Sequence, residues 1–95
     1  MMTSSLKTIN IVVSGKVQGV YFRQSTRDVA GQLHITGTVA NQNDGSVLIT
    51  ATGTPGHLQQ LVDWAHKGPG GATVDNVQVS ELPLQSFDGF RIVRA

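Results

Sequence analysis

The fold is decided by one stretch of the chain, Ser14-Gly15-Lys16-Val17-Gln18-Gly19-Val20-Tyr21-Phe22-Arg23. Residues 7–14 lead into it and carry Ile9, Ile11 and Val13 at alternate positions, which predicts a strand with one buried face. From Phe22 onward the apolar residues recur with helical spacing. A strand, a tight loop with two glycines and a helix therefore follow one another directly.

This loop has the features of an anion-binding site. Backbone N–H groups point inward where a glycine-containing loop curls, and a helix N-terminus adds unpaired N–H groups and the positive end of its dipole. Arg23, near the start of the helix, carries a planar guanidinium that matches phosphate oxygens two at a time. The same residues are also compatible with a simple turn at Gly15 and Gly19 and a solvated arginine. The spacing matches neither a Walker loop nor a dinucleotide fingerprint.

The rest of the chain continues the alternation of strands and helices. After a helix at 22–33 come a strand at 35–41, an Asn43-Asp44-Gly45 turn, a strand at 46–52, a second helix, a strand at 74–82 and a closing strand at 90–93. Thr54 is expected to cap the second helix, with Pro55 at its first position and the glycines of 68–71 at its end.

This order predicts an α+β, ferredoxin-like split β-α-β sandwich, in which an antiparallel sheet carries both helices on one face. The pattern is βαββαβ plus a short terminal strand. We expect a single domain over residues 1–95, with a loose N-terminus at 1–6.

Composition excludes several classes of function. The chain has 7 Lys and Arg against 6 Asp and Glu, so it lacks the basic excess of nucleic-acid-binding proteins. It has no cysteine, which excludes disulfide scaffolds, thiolate metal sites and cysteine nucleophiles. No apolar run has the length of a signal peptide core or a membrane span. We expect a cytoplasmic monomer that binds neither nucleic acid nor membrane.

Asn41 is the second candidate functional residue. It shares the strand parity of Val39, so its side chain should lie on the helix-covered side at the end of the second strand. There it would stand beside the anion-binding loop and Arg23. Asparagine is also common in turns, and Asn41 could instead open the turn at 41–45 by bonding its own backbone.

Two groups of residues resemble the signatures of the acylphosphatase family. Residues 15–23 resemble the first signature, and Gly37-Thr38-Val39-Ala40-Asn41, Asp44-Gly45-Ser46-Val47 and Gly53 are similar to the second. Further matches to the family's spacing follow at Trp64, Gly68-Pro69, Ala72, Val74, Val77, Phe90 and Ile92. Each signature falls on the predicted loop or turn that it needs, and the likeness extends over residues 7–93.

The resemblance implies a metal-independent, cofactor-free hydrolase that converts a small acyl phosphate into a carboxylate and inorganic phosphate. It implies two catalytic residues: Arg23, which binds the phosphate, and Asn41, which holds the attacking water. The implied substrate-binding N–H groups are those of Gln18, Gly19, Val20, Tyr21 and Phe22. Gly15 and Thr26 are expected to support these residues, Thr26 either through a hydrogen bond to Asn41 or through simple packing of its helix.

Three positions depart from the family pattern. Thr38 stands where an aromatic residue is usual, Ala40 where Lys or Arg is frequent, and His34 where Gly is common. Thr38 has outward parity, so its change should affect surface packing more than catalysis. Tyr21 is compatible with stacking on a ligand or with partial burial beside the loop.

Two other functions are compatible with the same fold. One is a non-catalytic anion-binding or regulatory module. The other is RNA binding by the open sheet face, which requires exposed aromatic residues and basic charge. The positions predicted on that face offer neither: Thr8, Asn10, Val12, Leu48, Thr50 and Thr52.

Overall fold

The computed structural model describes residues 5–94 and contains every predicted helix and strand, with boundaries shifted by at most two residues. The elements are β1 (Lys7–Lys16), α1 (Phe22–Gln32), β2 (Thr36–Asn41), β3 (Val47–Gly53), α2 (Pro55–Lys67), β4 (Thr73–Leu82) and β5 (Phe90–Ile92). Most of the predicted loose N-terminus, residues 1–4, lies outside the described part of the chain.

The strands form one sheet in the order β4-β1-β3-β2-β5. The prediction of a wholly antiparallel sheet is wrong at one edge, because β5 pairs with β2 in parallel. The physical reason is the direction of β4, whose end at Leu82 lies beside Thr8, near the start of β1. The chain therefore crosses to the other edge at that end of the sheet, and β5 must run in the same direction as β1 and β2.

The crossing segment, residues 83–89, covers part of the sheet face that the sequence predicted to be open. Gln85 donates its N–H to the Thr8 hydroxyl at 2.8 Å, and its carbonyl accepts from the Thr52 hydroxyl at 2.9 Å. Thr8 and Thr52 are buried beneath it. The prediction that the sheet face is open at Thr8 and Thr52 is therefore wrong. Residues 83–89, which have no strong sequence pattern, pack over both side chains.

The core lies between the opposite sheet face and the two helices. Alternate residues of the central strands meet apolar residues that are spaced three or four apart on each helix. The buried cluster includes Ile9, Ile11, Val13, Val39, Val47, Ile49, Phe22, Ala30, Leu58, Leu61, Val62 and Ala65. The Thr54 hydroxyl accepts a hydrogen bond from the His57 N–H at 3.4 Å, and Pro55 follows it, which confirms the predicted start of α2.

The end of α1 forces a histidine into the left-handed region of backbone space. His34 has φ +56°, and the reversal is closed by bonds from the His34 N–H to the Gly31 carbonyl and from the Ile35 N–H to the Ala30 carbonyl. This is a Schellman motif, whose left-handed position favours glycine because a Cβ atom is strained there. The departure noted in the sequence at His34 therefore carries a conformational cost.

We predict that His34→Gly stabilises the fold by about 0.5–1 kcal/mol, since it relieves left-handed strain at the helix end. His34→Ala is the matched control, because it also removes the imidazole that lies 6.5 Å, centroid to centroid, from that of His57. Urea unfolding of the three proteins measures the difference. Equal stability of the Gly and Ala variants would contradict the prediction.

Candidate active site

Three strands run in the same direction and finish at the same end of the sheet. The candidate site lies at that end. β1 ends at Lys16 and leads into the loop at 17–21, β2 ends at Asn41, and β5 ends at Ile92. β1 and β2 both pair antiparallel with β3, while β5 follows β2 in parallel. The fold thus brings the predicted loop and Asn41 to the same end of the sheet.

Gly15 sets the way in which the chain leaves β1. The register between β1 and β4 shifts between Ser14 and Gly15, and Gly15 has φ +123°. A Cβ atom there would lie 2.3 Å from the Thr73 carbonyl oxygen, so only glycine permits this close approach. Pairing with β4 also carries β1 two residues beyond its predicted end. Gly15 shapes the start of the loop and does not line the cavity described below.

The loop presents a run of backbone donors that have no protein acceptor. Tyr21, the N-cap of α1, adopts φ 62° and ψ 23°, and its side chain caps nothing. The first bond into the helix is donated by Ser25 to the Tyr21 carbonyl. Within residues 5–94, the N–H groups of residues 18–24 find no acceptor, and the first turn of α1 has no acidic side chain. Such a loop favours an anion, which supplies the missing acceptors.

A cavity of about 450 Å³ opens in front of this loop and brings together most of the predicted site. Arg23 and Asn41 both line it, with Gly19, Tyr21 and Phe22 from the loop. Val17, Gln24 and Ile92 complete the wall and were not predicted. Gln18 and Val20, also predicted, are not among the lining residues. Val20 instead packs inward on the core and faces Gly71.

Asn41 lines this cavity and carries a buried acceptor. Its Oδ1 atom is buried and receives no hydrogen bond from any residue between 5 and 94. The alternative in which Asn41 closes the following turn does not occur. That turn is closed by the Gln42 N–H to the Ser46 carbonyl at 2.8 Å and by the Gly45 N–H to the Gln42 carbonyl at 3.1 Å. An unpaired buried acceptor costs about 1–3 kcal/mol, so a ligand that donates to Oδ1 gains a matched partner.

The Gln18 side chain fixes the loop to the β2–β3 turn. Its Nε2 donates to the Gln42 carbonyl at 2.8 Å and to the Ser46 carbonyl at 2.9 Å. Gln42 directly follows Asn41, so these two bonds set the distance between the loop and the Asn41 amide. The sequence pointed to the Gln18 backbone only, because a side-chain bridge between segments 24 residues apart leaves no local pattern.

Asp44 holds the shape of the same turn. Its carboxylate accepts from the Ser46 hydroxyl at 2.6 Å and from the Ser46 N–H at 2.9 Å. The side-chain bond, and then the backbone bond, lower the pKa of Asp44 below its usual value. Because the folded-state pKa is lowered, this contribution to stability is present at neutral pH and is lost as the pH falls through that lowered value.

The back of the loop is supported by aromatic packing against α2. Phe22 is 2% exposed, and its ring lies 5.3 Å from that of Trp64, centroid to centroid. Gly68, at the end of α2, has φ +67°, and a Cβ atom there would lie 2.7 Å from Cε2 of Phe22. The tight helix end therefore makes room for the ring that anchors the first residue of α1.

Two expectations about supporting residues differ from what the structure contains. The Thr26 hydroxyl donates to the Phe22 carbonyl at 2.8 Å, one turn back in α1, and forms no bond with Asn41. A buried threonine in a helix readily bonds the carbonyl four residues earlier. Tyr21 is 76% exposed, so of the two alternatives for its side chain, partial burial beside the loop does not occur. Its left-handed backbone turns the side chain outward at the cavity rim.

The described residues offer no obvious metal site or membrane segment. No group of three His, Cys, Asp or Glu side chains gathers anywhere between residues 5 and 94. In the same range, neither helix has the length and apolar character needed to cross a bilayer.

Comparison with known proteins agrees with the geometry. The acylphosphatase family model matches residues 9–92. An acylphosphatase of Marinobacter nauticus is 51% identical, and the match covers 88% of this chain and 96% of that protein. A solved acylphosphatase structure from Coxiella burnetii superposes with a TM-score of 0.92 at 37% identity, over 98% of this chain and all of that one. One from Bacillus subtilis superposes with a TM-score of 0.89 at 34% identity, over 94% and 99% of the two chains. The chain therefore belongs to the acylphosphatase family, hydrolases that act on small-molecule acyl phosphates.

Proposed function

We propose that Arg23 and the N–H groups of residues 18–22 bind the phosphoryl group of an acyl phosphate, and that Asn41 positions the water that attacks it. The observation that carries this proposal is the shared cavity, which Arg23, three residues of the loop (Gly19, Tyr21 and Phe22) and Asn41 all line. Residues with open N–H donors and the residue with a buried acceptor thereby line the same small volume.

Phosphate binding follows from charge and donor geometry. The phosphoryl group of an acyl phosphate is anionic and has oxygen acceptors only, which suits a loop whose N–H groups find no acceptor among residues 5–94. Arg23 is half-buried and forms no ion pair with any residue in the range 5–94. Its guanidinium is thus available to donate two parallel hydrogen bonds to phosphate oxygens.

Water positioning follows from the unpaired Asn41 Oδ1 atom. This atom can only accept a hydrogen bond, so it binds one O–H of a water and leaves an oxygen lone pair for the phosphorus. An amide that orients the nucleophile contributes through positioning rather than through proton transfer. Asn41 does not need to change its protonation state at any point.

The reaction needs no groups more reactive than this arginine, the loop N–H groups and the Asn41 amide. The water oxygen forms a bond to phosphorus while the bond from phosphorus to the carboxyl oxygen breaks, and the carboxylate leaves with the electron pair. The water protons pass to the phosphate and to solvent. A carboxylate is a stable leaving group, and phosphoryl transfer has a loose transition state, so positioning and charge stabilisation supply most of the catalysis.

The proposal includes the setting expected from the sequence. The protein acts in the cytoplasm as a monomer on free acyl phosphates, without nucleic acid, metal or cofactor. Sedimentation of the purified chain and hydrolysis of benzoyl phosphate in excess chelator test this setting.

We predict that Arg23→Lys lowers kcat for benzoyl phosphate about 10³-fold or more, since a planar fork is replaced by a single point charge.

Asn41→Ala should lower kcat about 10²-fold while inorganic phosphate still inhibits competitively, because only the water loses its partner. Fixed-time assays of benzoate release measure kcat for both variants.

The control is Arg27→Lys, an exposed arginine one turn farther along α1, which should retain wild-type kinetics. Full activity in either site variant would remove that residue's assigned role. Phosphate binding without turnover by the wild type would instead identify a non-catalytic anion-binding module.

We further predict that Gln18→Met lowers kcat about 10–100-fold, because the loop loses its tie to the turn that follows Asn41. The unfolding free energy should fall by only about 1–3 kcal/mol, as two hydrogen bonds are lost while both carbonyls keep backbone partners. Gln59→Met, which removes an exposed bond to Asp63, is the matched control. Unchanged kcat in Gln18→Met would show that the bridge does not position the site.

A further inference from the structure

The end of β5 brings a second arginine to the candidate site. Val39 pairs with Ile92, and the Val93 N–H donates to the Val39 carbonyl at 2.9 Å, so the chain beyond β5 continues beside the end of β2. Phe90 and Ile92 pack against the core, and Arg94 shares their strand parity. β5 itself ends at Ile92, and a depression lined by both residues places Arg94 beside Asn41.

Arg94 lines a depression of about 410 Å³ with Arg23, Asn41 and Val93, which we call the outer pocket. Arg23 and Asn41 also line the cavity in front of the loop, so the two spaces are adjacent. The ion pairs formed among residues 5–94 are Lys7–Glu81 and Arg91–Asp88. Neither guanidinium of the outer pocket is thus neutralised by a carboxylate of the described chain, and their field attracts an anion.

The reaction geometry decides which part of the substrate meets Arg94. Phosphoryl transfer places the attacking water and the leaving carboxylate on opposite sides of phosphorus. With the water at Asn41, the acyl group leaves away from Asn41, and the phosphorus moves toward Asn41 as the new bond forms. The outer pocket is lined by the residues proposed to hold the phosphoryl group and the water, Arg23 and Asn41. Phosphoryl oxygens, rather than the acyl group, are therefore the atoms that approach Arg94.

We propose that Arg94 is a second phosphate-binding arginine, which recruits the phosphoryl group of the substrate and holds the inorganic phosphate product. The assignment of its side of the reaction rests on the proposed function of Asn41. Arg23 fixes the phosphoryl group during chemistry, whereas exposed Arg94 acts on binding and release. Its removal changes affinity for phosphate and leaves the chemical step intact.

The test is binding of inorganic phosphate, measured by isothermal titration calorimetry at low ionic strength, in wild type, Arg94→Gln and Arg94→Lys. We expect Arg94→Gln to weaken phosphate binding about five- to tenfold, and Arg94→Lys to recover most of the affinity, since the charge is retained. Raising the salt concentration should shrink the difference between wild type and Arg94→Gln.

Arg91→Gln is the matched control, because it removes the same charge from β5, close to Arg94 in sequence, at a residue that pairs with Asp88. Phosphate affinity in Arg94→Gln within twofold of wild type would overturn the inference, as would an equal loss in Arg91→Gln. Because calorimetry needs no turnover, an Arg94-dependent affinity in a chain without hydrolysis would support the inference and refute only the proposed function.

Discussion

The structure depends on a loop whose backbone N–H groups are left without protein acceptors. Nothing between residues 5 and 94 accepts from the N–H groups of 18–24, and no acidic residue in the first turn of α1 competes for them. A fold that leaves this many donors open must hold the loop by other contacts. It does so with the Phe22 ring on Trp64, the Gly15 bulge against β4 and the Gln18 bridge to the β2–β3 turn. The left-handed backbone of Tyr21 costs conformational free energy, and the fold tolerates it because these contacts hold the loop on every side.

The second constraint is strand direction. β4 finishes at the end of the sheet where β1 and β2 begin. The segment at 83–89 therefore crosses the sheet at that end, and β5 runs parallel to β2. The ends of β1, β2 and β5 consequently meet on one side. This arrangement supplies the donor loop, the Asn41 amide and the chain leading to Arg94. The site is thus assembled from segments that are distant in sequence, and the β-sheet sets their spacing.

Much of this was predictable from local patterns. Alternation gave β1 to within two residues, Thr54-Pro55 gave the start of α2, and the glycines and Arg23 pointed to the anion-binding loop. Strand parity and the family resemblance led to Asn41, which does line the cavity. Most of the missing parts were long-range. The parallel β5 pairing, the burial of Thr8 and Thr52 beneath Gln85, the Gln18 bridge and the position of Arg94 depend on contacts between distant segments. The different partner of Thr26 reflects competition from its own helix backbone, which parity alone does not reveal.

The central claim is that an oxyanion completes the hydrogen bonding of the loop. Titration of the ¹⁵N-labelled protein with inorganic phosphate, followed by amide shifts, tests it most directly. The N-terminus of α2 provides an internal control, because Thr54 caps it and Pro55 removes one donor. The account predicts saturable shifts of the amides of residues 18–23 and of the Arg23 Nε–H, with Gly56 and His57 unmoved. Absence of shifts in the loop, or equal shifts at both helix starts, would contradict it.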